Sequence, residues 1–358
     1  MVTRSLIEIA PAPPFSKEGN QNIAFSHEKD ESLSSLQSGW RNFTVLTEVT
    51  ALLAALELDS ADIPDLDLAP APFRLLVPSS FVALMQPGHP HDPLLRQVLP
   101  LGIEQARVAG YVTDPVNDAA AVCGPGLLRK YTGRALLMTT TACALHCRYC
   151  FRRHLQAAAL GISARHYDLA LAQIAEDNTL TEIILSGGDP LLLDDAQLEM
   201  LFTQLAEIAH LKRLRIHTRL PTLIPARITP QLCTLLAQSR LTSIIVIHVN
   251  HAQELGQEQM LALQRLRESG VTLLNQSVLL RGVNDDCATL AQLSERLFDC
   301  GVLPYYLHQL DPVAGAAHFQ ISDANAIELR NQLRAQLPGY LVPRLVREIS
   351  GAAAKYPL

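Results

Sequence analysis

Cys143-Ala-Leu-His-Cys147-Arg-Tyr-Cys150, followed at once by Phe151-Arg152-Arg153-His154, is the stretch from which the rest of the sequence can be read. Three thiols at C-x3-C-x2-C spacing sit just after an apolar run, residues 135–141. A structural zinc site usually takes four ligands, commonly as two separated pairs. A four-iron cluster held by three cysteines leaves one iron without a protein ligand, free to bind a small molecule. What that open iron binds is the question put to the remaining residues.

Working outward, apolar runs recur at 135–141, 182–186, 214–217, 243–249, 272–280 and 303–310. Helical patterns lie between them at 195–210, 229–239, 253–269 and 289–300. Such alternation predicts parallel β/α units, and the nearly continuous apolar character predicts strands buried on both faces. Polar residues gather where the runs end: Ser186-Gly187-Gly188-Asp189, His217-Thr218-Arg219, His248-Val249-Asn250-His251, Asn275-Gln276-Ser277 and His308-Gln309-Leu310-Asp311. In a β/α barrel that end carries the active site. Six units fall short of eight, so the expected fold is α/β, a partial (β/α)6 TIM-like barrel open on one side. An open barrel admits a larger or second ligand. Residues 341–349 read as a further strand, and Lys355 follows a small-residue loop; taken alone it reads as a solvated lysine.

Residues 1–38 are rich in Ser, Pro, Glu, Lys and Asn and read as a flexible tail. Residues 39–130 read as a small, mostly helical region, with Val49, Leu52, Leu53 and Leu56 on one helical face and short helices near 79–85 and 94–99. Residues 131–325 form the expected barrel and 326–358 a closing segment. Composition agrees with a well-buried globular chain: 48% of its 358 residues are hydrophobic and 18% charged. A formal net charge of -6 gives no general drive toward nucleic acid or an anionic membrane. No apolar run approaches the roughly 20 residues that span a bilayer. Residues 1–20 carry prolines and charges where a signal peptide needs an apolar core, so the expected location is cytoplasmic. Seven cysteines, three of them clustered, do not suggest a disulfide framework. Cys123, Cys233, Cys287 and Cys300 read as ordinary buried small residues. His89 and His91, set among prolines, read as a surface loop.

The three-cysteine loop at the end of a first barrel strand resembles that of the radical S-adenosylmethionine enzymes. There the open iron chelates the amino and carboxylate groups of S-adenosyl-L-methionine, and reduction yields a 5′-deoxyadenosyl radical. Gly187-Gly188-Asp189 resembles that family's glycine-rich motif, where glycine lets the backbone approach the methionine amino group. More narrowly, Cys143-x3-Cys147-x2-Cys150-x-Arg152-Arg153, Ser186-Gly-Gly-Asp-Pro-Leu191, Asn275-Gln-Ser-Val-Leu-Leu-Arg-Gly-Val-Asn284 and Lys355-x-Pro resemble lysine 2,3-aminomutases. Pro304-Tyr-Tyr-Leu-His308, Gly315-Ala-Ala-His-Phe319 and Gly339-Tyr-Leu-Val-Pro343 resemble the short bacterial branch that supplies β-lysine for modifying elongation factor P. The similarity runs from about residue 40 to residue 358.

This resemblance implies an isomerase that converts (S)-α-lysine to (R)-β-lysine, which a separate ligase attaches to elongation factor P. It implies three cofactors: a [4Fe-4S] cluster on Cys143, Cys147 and Cys150, S-adenosyl-L-methionine, and pyridoxal 5′-phosphate. Lys355 becomes the lysine that forms the pyridoxal Schiff base. Lys130, Tyr131 and Arg134 are implied for the pyridoxal phosphate group, with Lys130 standing where longer aminomutases carry arginine. Arg152 is implied for the substrate carboxylate. Asp311 and Glu348 are implied for the remote ammonium, the longer enzymes having aspartate at the second position. Gly187, Gly188, Asp189, His248, Asn250 and Gln276 stand where S-adenosylmethionine or the pyridoxal ring could be touched. The longer enzymes continue past the pyridoxal lysine, so no oligomeric state is carried over. The competing readings are the same chemistry on another amino acid, or a non-catalytic iron–sulfur or zinc protein.

Overall fold

The structure, a computed structural model, describes residues 39–67, 73–162 and 166–358. The expected tail at 1–38 lies outside the described residues. At the start of the described chain, β1 (Val45–Leu46) pairs antiparallel with β2 (Val77–Pro78), beside the short helices α1 (Val49–Ala55), α2 (Ser79–Val82) and α3 (Pro93–Arg96). In α1, Leu52 and Leu53 face the core as the spacing requires. For α3 the cause is local. The Asp92 carboxylate accepts from the amides of Leu94 and Leu95, and Pro93 fits the first turn, where no amide is needed.

A single sheet of ten strands then organises the chain. Its members are β3 (Val122–Gly124), β4 (Leu127–Tyr131), β5 (Arg134–Thr140), β6 (Glu182–Gly187), β7 (Arg213–Thr218), β8 (Thr242–Ile247), β9 (Thr272–Val278), β10 (Leu303–His308), β11 (Arg344–Arg347) and β12 (Tyr356–Pro357). They lie side by side in chain order, and β5 to β11 are mutually parallel. The connecting helices are α4 (His166–Glu176), α5 (Asp195–Glu207), α6 (Leu220–Leu223), α7 (Pro230–Gln238), α8 (Gln257–Glu268), α9 (Cys287–Asp299) and α10 (Asp323–Gln336). Helix starts follow side-chain caps: Asp194 and Gln197 close a capping box on α5, Thr229 caps α7 and Asp286 caps α9. Leu137, Ile183, Leu185, Leu214, Ile216, Ile245 and Ile247, two apart along their strands, form one buried face of the sheet. Burial on both faces holds for β6 but not for β7 or β9, where buried and half-buried residues alternate.

The six expected β/α units are present, and the further strand expected at 341–349 is β11, parallel to β10 and reached through a helix the periodicity did not reveal. Among the buried residues of α10 are Ala326 and Leu333, which leave a sparse apolar stripe to read. The expected boundary at 130/131 also needs correcting in detail. Residues 122–131 are not helical; they form a hairpin that pairs antiparallel onto β5 across that boundary. The four scattered cysteines are not uniformly buried: Cys123 is exposed, Cys233 and Cys287 are half-buried, and Cys300 is buried. No helix among the described residues is long and apolar enough to cross a membrane.

The sheet therefore ends in a hairpin on each side, β3–β4 at one edge and β11–β12 at the other. Side chains span the gap between them. The Tyr131 hydroxyl donates to Glu348 Oε1 at 2.5 Å, and Asn117 Nδ2 donates to Ser350 Oγ at 3.2 Å. Replacing Tyr131 with Phe strips a charged carboxylate of one donor, at a cost of about 1.5–3 kcal/mol. Hydrogen exchange should accelerate in residues 344–358 of Tyr131→Phe while 182–278 stays protected; uniform acceleration would show that the clasp has no local role.

Candidate active site at the open mouth of the barrel

The cysteine loop leaves the end of β5 and is fixed by its neighbours' backbones. Gly188 N donates to Thr140 O at 2.6 Å and Asp189 N to Ala142 O at 2.8 Å. A Cβ at Gly188 would fall 1.8 Å from Ala142 O, and one at Gly187, where φ is +131°, 2.2 Å from Thr140 O. Only glycine allows this approach. The glycine pair thus seats the strand end against the residues leading into Cys143. Further along, Arg148 pairs with Glu104 at 2.5 Å and Arg153 with the same carboxylate at 2.7 Å. Buried Arg219 donates to Cys147 Sγ at 2.9 Å, to the Tyr149 hydroxyl at 3.0 Å, and to Gln97 and Glu254, both at 2.8 Å.

The resemblance carried by this loop implies a four-iron cluster, and the thiols fit one. Burial pushes Cys143 well up, with Cys150, Asp189 and Cys147 adding to it; burial and then Cys147 push Cys150 up to about 11. Cys143 feels both other thiols and Cys150 feels Cys147, so the loop gathers the three together, and a bound metal would displace the protons that burial holds on Cys143 and Cys150. Among the described residues no three His, Cys, Asp or Glu side chains converge as ligands of one ion would. A cluster asks for something else, because each cysteine takes a different iron.

Charged groups from distant segments meet beside this loop. Glu348 Oε2 lies 2.6 Å from Lys355 Nζ while its other oxygen takes the Tyr131 hydroxyl; despite burial, Lys355 and Tyr131 hold its carboxyl below the ordinary range. Lys355 Nζ stands 5.9 Å from the Tyr306 ring centre, and Arg134 stacks 4.6 Å over the Tyr131 ring. Asp118 is paired with Lys130 at 2.7 Å and with Arg152 at 2.8 Å, and Arg152 Nη1 reaches Ser186 Oγ at 3.2 Å. Asp311 feels Lys355, Glu348, Lys130 and Asp118; burial dominates and lifts its carboxyl to about 7. Three imidazoles, His217, His248 and His308, are pushed down by burial, His248 to about 3, so they are neutral. His217 Nε2 is buried without a hydrogen-bond partner, a polar atom left for a ligand to satisfy.

Most of the residues expected from sequence converge here: Lys130, Tyr131, Arg134, Arg152, Asp311, Glu348 and Lys355. Two of the expected ligand contacts have their polar atoms engaged by the fold. The Asp189 carboxylate, raised to about 6 by burial, accepts from Thr218 Oγ1 and from the amides of Leu191 and Arg219. Buried Asn250 donates to Gln97 and the Tyr149 hydroxyl and accepts from Val278 N. His248 Nε2 lies 3.0 Å from the Tyr149 hydroxyl, and Gln276 is half-buried on β9. Glu348, expected to face a substrate ammonium, already holds an ammonium, that of Lys355. Sequence reasoning missed Asp118, Glu104, Tyr306 and the role of Arg219. Arg219 carried a signal, its place at a strand end; Asp118 carried none, since it comes from a loop without a motif.

A three-thiol loop at the mouth of an open parallel barrel defines a radical S-adenosylmethionine protein, and the Radical SAM superfamily model matches residues 137–293. The chain is 52% identical over 286 residues to the L-lysine 2,3-aminomutase of Escherichia coli (strain K12), covering 80% of this chain and 83% of that one. With the Haemophilus influenzae protein of the same name it shares 46% over 310 residues, 87% of this chain and 92% of that one. With the Clostridium subterminale L-lysine 2,3-aminomutase it shares 35% over 286 residues, 80% and 68% of the two chains. The chain belongs to the L-lysine 2,3-aminomutase family.

The glycine contacts give a paired prediction. Gly188→Ala must push the cysteine loop aside, costing about 1–3 kcal/mol, and should lower the iron bound per chain after anaerobic reconstitution. Gly339→Ala, where nothing lies within 4 Å, should change stability by under about 0.5 kcal/mol and leave the iron content intact. Equal iron content in both proteins would contradict the seating role.

Proposed function

We propose that this protein is a radical aminomutase that isomerises (S)-α-lysine to (R)-β-lysine in the cytoplasm, its product passing to a ligase that modifies elongation factor P. The observation that carries this reading is the charge layout of the mouth. Arg152 stands ready for a carboxylate, while Asp311 and Glu348 lie together beside Lys355, already occupied in part by an ammonium. An amino acid with a second amine at the far end of its side chain fits such a layout; an acidic one would meet like charge.

When bound, the cluster and S-adenosyl-L-methionine supply a hydrogen-abstracting radical, and pyridoxal 5′-phosphate supplies a carrier for the migrating amino group. Cys143, Cys147 and Cys150 would hold the cluster, and Lys355 would anchor the pyridoxal. Lys130 and Arg134 bring positive charge for its phosphate, with Tyr131 beside them. The chain's own residues then have separate tasks. Arg152 grips the carboxylate end of lysine and Asp311 with Glu348 the remote ammonium, so that C2 and C3 are held between two fixed ends. Tyr131 keeps Glu348 in place. The neutral imidazoles of His217, His248 and His308 line the site without adding charge, and His217 Nε2 offers one bond to a ligand. Support for the lysine preference comes from the similarity to the aminomutases named above.

The reading predicts that reconstituted protein, incubated anaerobically with reductant, S-adenosyl-L-methionine and pyridoxal phosphate, converts lysine to β-lysine but leaves glutamate untouched. No β-lysine, or rearrangement of glutamate instead, would overturn it. Lys355→Ala should lose the absorbance of covalently held pyridoxal, which an uninvolved lysine would leave unchanged. The pH dependence has a definite sign. Asp311 stays protonated up to about pH 7 because burial raises it, whereas the lysine side chain is charged throughout this range. Binding below that pH must expel a proton, so KM for lysine should rise about tenfold per pH unit as the pH falls below 7. Asp311→Asn should give a high KM that no longer varies between pH 6 and 8.

A further inference from the structure

We infer that Asp118 is a positioning residue for substrate recognition: it sets the orientation of the Arg152 guanidinium and ties it to Lys130. The inference rests on the reading of Arg152 as the carboxylate site. Asp118 lies between the two cations, with Oδ1 2.7 Å from Lys130 Nζ and Oδ2 2.8 Å from Arg152 Nε. Its side chain is 2% exposed, whereas those of Arg152 and Lys130 are 13% and 24% exposed, so the carboxylate is the most buried member of the trio. Burial alone would raise Asp118, yet Arg152 and Lys130 together bring it below the ordinary range.

The loop that carries Asp118 is itself held. Asp114 accepts from the amides of Asp118 and Ala119 at 2.9 and 3.1 Å, and Lys130 Nζ also donates to Val116 O at 2.9 Å. The consequence for Arg152 is geometric. A guanidinium can meet a carboxylate side-on, through Nε and one Nη, or end-on, through both Nη atoms. Asp118 takes Nε, and Ser186 takes one bond of Nη1. With Nε taken the side-on approach is closed, and the end-on edge through the two Nη atoms is the one left for a ligand carboxylate. One carboxylate between two cations also leaves the trio a net positive charge, which suits an anionic group of the ligand. Lys130 and Arg152 thereby become one unit.

Calorimetric titration of the reconstituted holoprotein with lysine and with lysinamide, which lacks the carboxylate, separates positioning from charge and from general damage. Wild-type protein should bind lysine about tenfold or more tightly than lysinamide, as a charge-assisted pair requires. Asp118→Ala should lose most of that preference by weakening lysine binding, with lysinamide unchanged and bound iron intact. Asp118→Asn keeps an oxygen acceptor and should retain part of the preference, its KM for lysine rising while kcat holds. Tighter lysine binding in Asp118→Ala would show that Asp118 merely damps positive charge, and equal weakening of both ligands would show a general structural role. Either result overturns the inference. If the alanine protein does not fold, a lower kcat at unchanged KM in Asp118→Asn overturns it instead. Wild-type protein that fails to distinguish the two ligands would overturn the Arg152 reading itself, and this inference with it; a preference that survives in Asp118→Ala would overturn only the role of Asp118.

Discussion

A parallel sheet that stops short of closure has two unpaired edges, and something must hold them in register. In this protein the Glu348 carboxylate does much of that work, taking the Tyr131 hydroxyl from one edge hairpin and the Lys355 ammonium from the turn of the other. A half-buried carboxylate is costly unless its oxygens are matched, and here both are. The same contact that joins the edges also fixes where the terminal lysine stands. Closure of the fold and construction of the site are one interaction.

The surrounding charges follow the same logic. Asp118 is satisfied by Lys130 and Arg152, Glu104 by Arg148 and Arg153, and Glu254 by Arg219. Removing one member of such a buried set strands the others, at about 3–5 kcal/mol. Two of these networks brace the cysteine loop, and the third faces the substrate mouth. Asp311 differs from all of them: burial outweighs the cations near it, and its proton is held to about pH 7. It is the carboxyl with most to gain from a ligand ammonium. The neutral histidines beside it leave the field to the fixed charges.

Much of this was legible in the sequence, for physical reasons. Parallel strands that bury at least one whole face need apolar residues at regular positions, so six strands and their polar ends could be placed within a few residues. Cysteines at tight spacing declare a soft-metal loop, and the motifs around Arg152, Asp311, Glu348 and Lys355 resembled a known family. Other features had no local signature. The hairpin at 122–131 is short, interrupted by Gly-Pro-Gly, and stabilised by pairing onto β5 more than by its own pattern. Helix α10 buries too little to show a stripe. Glu104 owes its importance to partners 44 and 49 positions away, and Asp118 to one 34 positions away beside nearer Lys130, separations that no short window of sequence contains. Asp189 and Asn250 illustrate the reverse: their place at strand ends suggested ligand contact, while their side chains are taken up by backbone and buried neighbours.

The central claim is that the mouth recognises a zwitterion with a second, distant ammonium, gripping both ends. Norleucine has the same carbon chain as lysine and lacks only the terminal amine. Titrating the reconstituted holoprotein with each amino acid at pH 8 tests the claim most directly, since Asp311 is then ionised. Lysine should bind at least about a hundredfold more tightly, because norleucine leaves Asp311 and Glu348 without a ligand cation. Equal affinity for the two would contradict the account.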